Sequence, residues 1–279
     1  MGFLYVIISS LLFGILPSVQ NKAILNGADP LSVLLVCNSV CLLGSFFFCL
    51  LRRVSLKITG KELLTYLLSG VCIFVTDYCL NLAYTKMPVG LVTMIHFIYP
   101  VLICLGAVLF FKEKLYFSRK VAIILSAGGL FFLSDPGAAY SLKGVVYALI
   151  SAFAYAVNLT VIDRGVISKH DTFLKNFYIF LFSFLFSLAF DYSNLQMIHF
   201  KADQIFWMLL SGVILISGSI TLTVGIRILG SADAAFISTL EPITSLLVST
   251  FLYHYDLLPR SIIGCILIIL SLFPIIRDQ

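Results

Sequence analysis

Residues set 142 positions apart match from one end of the chain to the other, and this spacing constrains the fold more than any other feature. Gly2 and Tyr5 return as Gly144 and Tyr147, Ser69-Gly70-Val71 returns as Ser211-Gly212-Val213, and Pro100 returns as Pro242. Self-similarity at a fixed period is the signature of a duplicated architecture. Each copy holds five apolar stretches near the length of about 20 residues that crosses a hydrocarbon core about 30 Å thick. They run over 2–22, 30–51, 62–84, 88–111 and 118–134, then 144–164, 172–190, 204–227, 232–253 and 258–276. An odd number of crossings inverts the second copy relative to the first, the arrangement from which many secondary transporters build a site near the bilayer midplane. The expected fold is therefore all-α, an integral membrane protein of ten transmembrane helices in two inverted five-helix repeats (5+5). The repeats are residues 1–136 and 141–277, joined at the turn signal Ser134-Asp135-Pro136-Gly137.

Composition agrees with membrane burial. The chain is 61% hydrophobic and 11% charged, where a soluble domain carries about 25% charged residues. Its net charge of +5 follows topology rather than forming a nucleic-acid surface. Thirteen of the 18 Lys and Arg residues lie in the even-numbered connections and the C-terminal end, and five lie in the odd-numbered ones. By the positive-inside rule both termini are cytoplasmic, in a multi-pass protein of the cytoplasmic membrane. The first segment reads as a span rather than a cleaved signal, since no positive n-region precedes it. The seven cysteines fall inside the spans and form neither a metal pattern nor a secreted disulfide framework. No cofactor is expected.

Polar residues at membrane depth are the candidates for function. Asp77, Asn81 and Thr85 follow one another at i, i+4 and i+8 on the third span, and Ser219, Thr223 and Arg227 repeat the pattern on the eighth. Such a stripe either hydrogen-bonds to neighbouring spans or faces an aqueous cavity. At about 1.5 Å per residue, Asp77, His96 and Glu241 each lie roughly 12–13 Å from the nearer span end, close to the bilayer centre. Ionisable groups there mark functional sites by default because their burial is costly. Asp77 and His96 can also be read as a mutually neutralising pair, and Tyr99, at the position equivalent to Glu241, as a donor to that carboxyl. Tyr155 and Asn158 share a face of the sixth span. Pro100 and Pro242 each free the carbonyl four residues earlier, that of His96 or Ser238, and are candidate hinges.

Together the two five-span copies, Tyr99-Pro100 in the first and Glu241-Pro242 in the second resemble the EamA group of the drug/metabolite transporter superfamily. Phe111-Lys112-Glu113-Lys114-Leu115 is similar to the Gly-Glu-x-Leu element that follows the fourth span in that group, whereas the second copy has Tyr255-Asp256-Leu257 and lacks the glutamate. Glu113 accordingly reads as an interfacial helix-end or salt-bridge residue. The resemblance covers essentially the whole chain and implies a carrier with a central cavity, lined by spans 1, 3, 4, 6, 8 and 9. Its cargo is a small molecule, and protons are the candidate coupling ion.

The expected function is secondary transport of a small polar metabolite, an amino acid or amine, by alternating access, with export and proton coupling as extensions. The substrate-binding or coupling residues would be Asp77, Asn81, His96, Tyr99, Tyr155, Asn158, Ser219, Thr223 and Glu241. A lipid or lipid-linked flippase of the same fold is the rival. It would favour basic groups for a phosphate, whereas the deep charges here are two carboxylates and a histidine. No H-E-x-x-H, paired-aspartate or phosphate-cradling glycine element supports an enzyme. The sequence leaves oligomeric state open.

Overall fold

The computed structural model describes residues 1–114, 116–133, 141–190, 201–253 and 259–277. The turn expected at Ser134-Asp135-Pro136-Gly137 and the Tyr255-Asp256-Leu257 element lie outside these residues. These residues form twelve helical segments: α1 (Gly2–Leu25), α2 (Pro30–Leu51), α3 (Gly60–Tyr84), α4 (Val89–His96), α5 (Tyr99–Phe111), α6 (Phe117–Leu133), α7 (Leu142–Arg164), α8 (Thr172–Phe190), α9 (Ala202–Leu229), α10 (Ser231–Ile237), α11 (Leu240–Tyr253) and α12 (Pro259–Arg277). Among the described residues, seven stretches are long and apolar enough to cross a membrane: α1, α2, α3, Leu91–Phe111 across the α4–α5 junction, α7, α8 and α9. The remaining expected spans are helical but shorter or interrupted, with 17 residues in α6 and 14 in α11.

Local sequence starts these helices in recognisable ways. Asp29 caps α2 by accepting from the N–H groups of Leu31 at 2.9 Å and Ser32 at 3.2 Å, with Pro30 in the first turn, where its missing donor is harmless. Thr59 and Glu62 form a capping box at α3. At the equivalent place on α9, Gln204 accepts from the Lys201 N–H at 3.0 Å. Duplication has thus kept the helix-start chemistry as well as the apolar pattern.

Packing between the copies is reciprocal. α1 packs on α9 and α7 packs on α3, while α2 meets α8 and α6 meets α12. α7 repeats α1 and α9 repeats α3, so the first two contacts are one contact made twice. The same residue pair bonds at both contacts, with the direction reversed: Ser9 Oγ donates to Gly218 O at 3.0 Å, and Thr76 Oγ1 donates to Ser151 O, the counterpart pair, at 3.4 Å. Small residues permit this closeness. A Cβ on Gly2 would strike Leu229, and one on Gly144 would strike Met87, again the counterpart. Gly70 is closed in by Phe182, Gly212 by Val40, and those two neighbours are themselves equivalent. The outside is apolar, with Phe110, Phe117, Leu142 and Phe251 all at least 80% exposed. Such a surface is stable against lipid and not against water.

The fourth and ninth expected spans differ from the sequence reading, which runs each as one helix. Each is broken, between His96 and Tyr99 and between Ile237 and Leu240. The cause is the proline four residues after His96 and Ser238, which offers no N–H to close the α-helical turn. Ser238 O is satisfied instead by the Glu241 N–H at 2.9 Å, a tighter i+3 turn.

Candidate functional site

The helix breaks face a cavity formed by both copies. Its lining carries the repeat. Phe13, Leu16, Pro17 and Gln20 of α1 are matched by Tyr155, Asn158, Leu159 and Ile162 of α7. Ile73, Asp77, Leu80 and Tyr84 of α3 are matched by Leu215, Ser219, Leu222 and Ile226 of α9. Thr93, His96 and Phe97 arrive from α4 and its break, Glu241 and Ser245 from α11.

Most expected site residues meet here. Asp77, His96, Tyr155, Asn158, Ser219, Thr223 and Glu241 all line the cavity. Three do not fit their expected placement. Asn81 is 1% exposed, away from the cavity, with neither amide atom hydrogen-bonded. At about 100° per residue it stands some 40° beyond Asp77 around the helix, whereas Ile73, Leu80 and Tyr84 lie to the other side. The cavity face of α3 thus follows i, i+3, i+7 rather than i, i+4, i+8. Tyr99 lies behind the cavity wall, its ring 5.3 Å from His96 and 4.8 Å from Tyr155, and its hydroxyl makes no hydrogen bond. It does not donate to Glu241. Pro100 lines a second, apolar groove on the other side of Phe97, which borders both spaces. Pro242 is buried beside Glu241.

His96 is not paired with Asp77. Its Nδ1 lies 2.9 Å from Ser151 Oγ, and that hydroxyl gives its single hydrogen to Ala148 O at 2.7 Å. Ser151 can then only accept, which assigns the proton to Nδ1 and leaves Nε2 as an acceptor. The α9 stripe has a partner the sequence did not reveal. Asn176 on α8 accepts from Ser219 Oγ at 2.5 Å and donates to Thr223 Oγ1 at 3.4 Å. Gln20 lines the cavity while Ser151 and Asn176 stand behind it, and the sequence pattern singles out none of the three. Each is a polar residue in an apolar helix, the signal that could have flagged it. The stripes end outside the cavity, with Thr85 and Arg227 both exposed.

The profile of the EamA-like transporter family matches residues 1–135 and again residues 142–277. The chain belongs to that family. It is a multi-pass membrane protein built from two EamA-like repeats, a transporter of the drug/metabolite superfamily rather than a member of an enzyme family. A solved structure, titled only as the crystal structure of a protein, superposes with a TM-score of 0.82 over 98% of this chain and 96% of its own, at 14% identity. At that identity the likeness speaks to fold alone. No curated protein matches this EamA-like chain in sequence.

Beyond the cavity, charged residues of the EamA-like transporter tie the two copies together at one end of the bundle. Glu113 pairs with Arg164 and, at 3.9 Å, with Arg119, and Arg119 reaches Asp233 on α10 at 3.1 Å. Asp163 accepts from the Ser231 N–H at 2.9 Å and its hydroxyl at 2.7 Å, fixing the turn at Gly230, whose φ of +84° suits glycine. The hydrogen bond from Arg164 holds the Glu113 carboxyl below its ordinary range. Glu113 is therefore a salt-bridge residue at a helix end.

Proposed function

We propose that this EamA-like protein is a secondary transporter that moves a small polar metabolite, an amino acid or an amine, out across the cytoplasmic membrane in exchange for protons. The observation that carries the reading is the gathering of Asp77, His96 and Glu241 at one cavity whose walls come from both repeats. Ionisable groups at membrane depth are expensive, and a cavity serving a charged cargo gives them a use. In this reading the chain crosses the membrane ten times as two inverted five-helix units, residues 1–136 and 141–277, with both termini cytoplasmic. The reciprocal packing of α1 on α9 and α7 on α3 supports it, since a two-fold relation between the copies generates such pairs. The breaks before Pro100 and Pro242 are the hinges about which the cavity opens to alternate sides. Tyr155, Asn158, Ser219 and Thr223 complete the cargo site, with Asn81 and Tyr99 supporting it from behind.

Coupling follows from competition. A carboxylate that holds a cationic group of the cargo cannot also hold a proton, so protons entering from outside discharge it and release the cargo there. The test is uptake into proteoliposomes of the purified full chain under an imposed proton gradient, beside a phospholipid-flip assay on the same vesicles. Concentrative movement of amino acids or amines without lipid flipping supports the carrier. Lipid flipping without metabolite movement overturns it in favour of the flippase.

A further inference from the structure

The unsatisfied atoms of the cavity are of one kind. Asp77 Oδ2, Asn158 Oδ1 and Glu241 Oε1 are buried without a hydrogen-bond partner, and all three are acceptor oxygens of residues that line it. They belong to three helices, α3, α7 and α11, drawn from both repeats. A buried acceptor left without a donor is destabilising, so an arrangement with several of them in one space is made good by a ligand that donates. Several hydroxyl donors of the wall are already committed to acceptors of the protein. Thr76 Oγ1 donates to Cys72 O at 2.7 Å, Thr93 Oγ1 to Val89 O at 2.8 Å, Ser219 Oγ to Asn176 Oδ1 at 2.5 Å, and Thr223 Oγ1 to Ser219 O at 2.8 Å. The proton on His96 Nδ1 goes to Ser151. Among the described residues no Lys or Arg lines the cavity.

Such a space favours a cation over an anion, since two carboxylates line it and no Lys or Arg stands beside them. An alkylammonium carries three donors and no acceptor, which complements three orphaned oxygens. The rest of the wall is mainly aliphatic and aromatic: Phe13, Phe97 and Tyr155 offer faces that attract a cation, and the aliphatic side chains shelter an apolar body. A zwitterion would bring its carboxylate into a site with two carboxylates and no Lys or Arg to pair it, and burial of an unpaired charge is costly.

We infer that the cargo is a primary amine lacking a carboxylate, with an apolar body, and that the cavity rejects the corresponding amino acid. This rests on the carrier reading and narrows it. The experiment uses compounds that differ at one group: 2-phenylethylamine, phenylalanine, and phenylalanine methyl ester, in which the ammonium is kept and the carboxylate masked. Thermal stabilisation of the purified full chain is measured against concentration of each. The amine and the ester should act at concentrations at least about ten-fold lower than the amino acid, a difference of about 1.4 kcal/mol in binding. Glu241→Gln and Asp77→Asn should each weaken the amine response and narrow the gap between the amine and phenylalanine. Having two variants guards against one failing to fold. Equal or stronger stabilisation by phenylalanine, or none by any of the three, overturns the inference. Transport of the same compounds separates the two failures. If proteoliposomes concentrate phenylalanine, the carrier stands and the amine assignment falls; if they move neither and flip phospholipid, both fall.

Discussion

Glu241 stands where the first repeat has Tyr99, and that one difference gives the cavity a second carboxylate to set beside Asp77. Replacing Glu241 with Gln keeps the shape and removes the exchangeable charge. The expected outcome is loss of pH-driven accumulation with equilibrative exchange retained, read as uptake with and without a proton gradient; Asp77→Asn tests the other carboxyl in the same way. Should both variants still concentrate cargo, the coupling group lies elsewhere. Cysteine scanning checks the cavity face of α3. In a background without native cysteines, residues introduced at Leu80 and Leu222 should react with small polar thiol reagents and be protected by cargo, and one at Asn81 should stay inert. Depth and chemistry made Asp77, His96 and Glu241 visible in the sequence, because few ionisable residues stand in the middle of apolar stretches. Asn81 was misplaced because a repeat of four residues drifts about 40° per step around a helix of 3.6 residues per turn. Asn176 was invisible because its role depends on α8 lying against α9, a tertiary fact that no local periodicity encodes.

At the scale of elements, the helices and their starts were legible and the breaks were legible only in part. Proline announces a freed carbonyl, but whether the helix bends or stops depends on what can replace the lost hydrogen bond. At Ser238 the replacement is the Glu241 N–H, which ends the α-helical run and begins another. Restoring a donor with Pro100→Ala or Pro242→Ala should let the helix run through. Turnover in proteoliposomes is then expected to fall several-fold while thermal stabilisation by cargo persists; unchanged turnover would remove these prolines from the transport cycle. The salt bridges of Glu113 make a milder prediction. Its carboxyl is held below the ordinary range by Arg164, so the stabilisation is present above the unfolded-state value and is lost as pH falls through the lower folded-state value. Glu113→Gln should reduce the melting temperature slightly at neutral pH, since partly exposed pairs contribute about 0–1 kcal/mol. The gap should close in acid and shrink with added salt. A gap that stays constant from neutral to strongly acidic pH would mean that the pair contributes nothing through charge.

For the whole molecule, the first expectation concerns topology. Reporter fusions or impermeant labels placed at Lys57 and at Ser141 should mark opposite sides of the membrane, and finding both on one side would end the inverted reading. Reciprocity has a further consequence, historical rather than mechanical. Contacts in which Gly2 meets Leu229 and Gly144 meets Met87 are those of an isologous interface, the kind two identical chains make about a two-fold axis. A five-helix ancestor could have formed this bundle as a homodimer, but every residue of its cavity would then have been present twice. A glutamate at the position of Glu241 would have faced its own copy, and two like charges in one buried space repel. Joining the copies in one chain released each from copying the other. Tyrosine could settle at position 99 and glutamate at position 241, giving a cavity with a front and a back, a polarity that no symmetric pair can have.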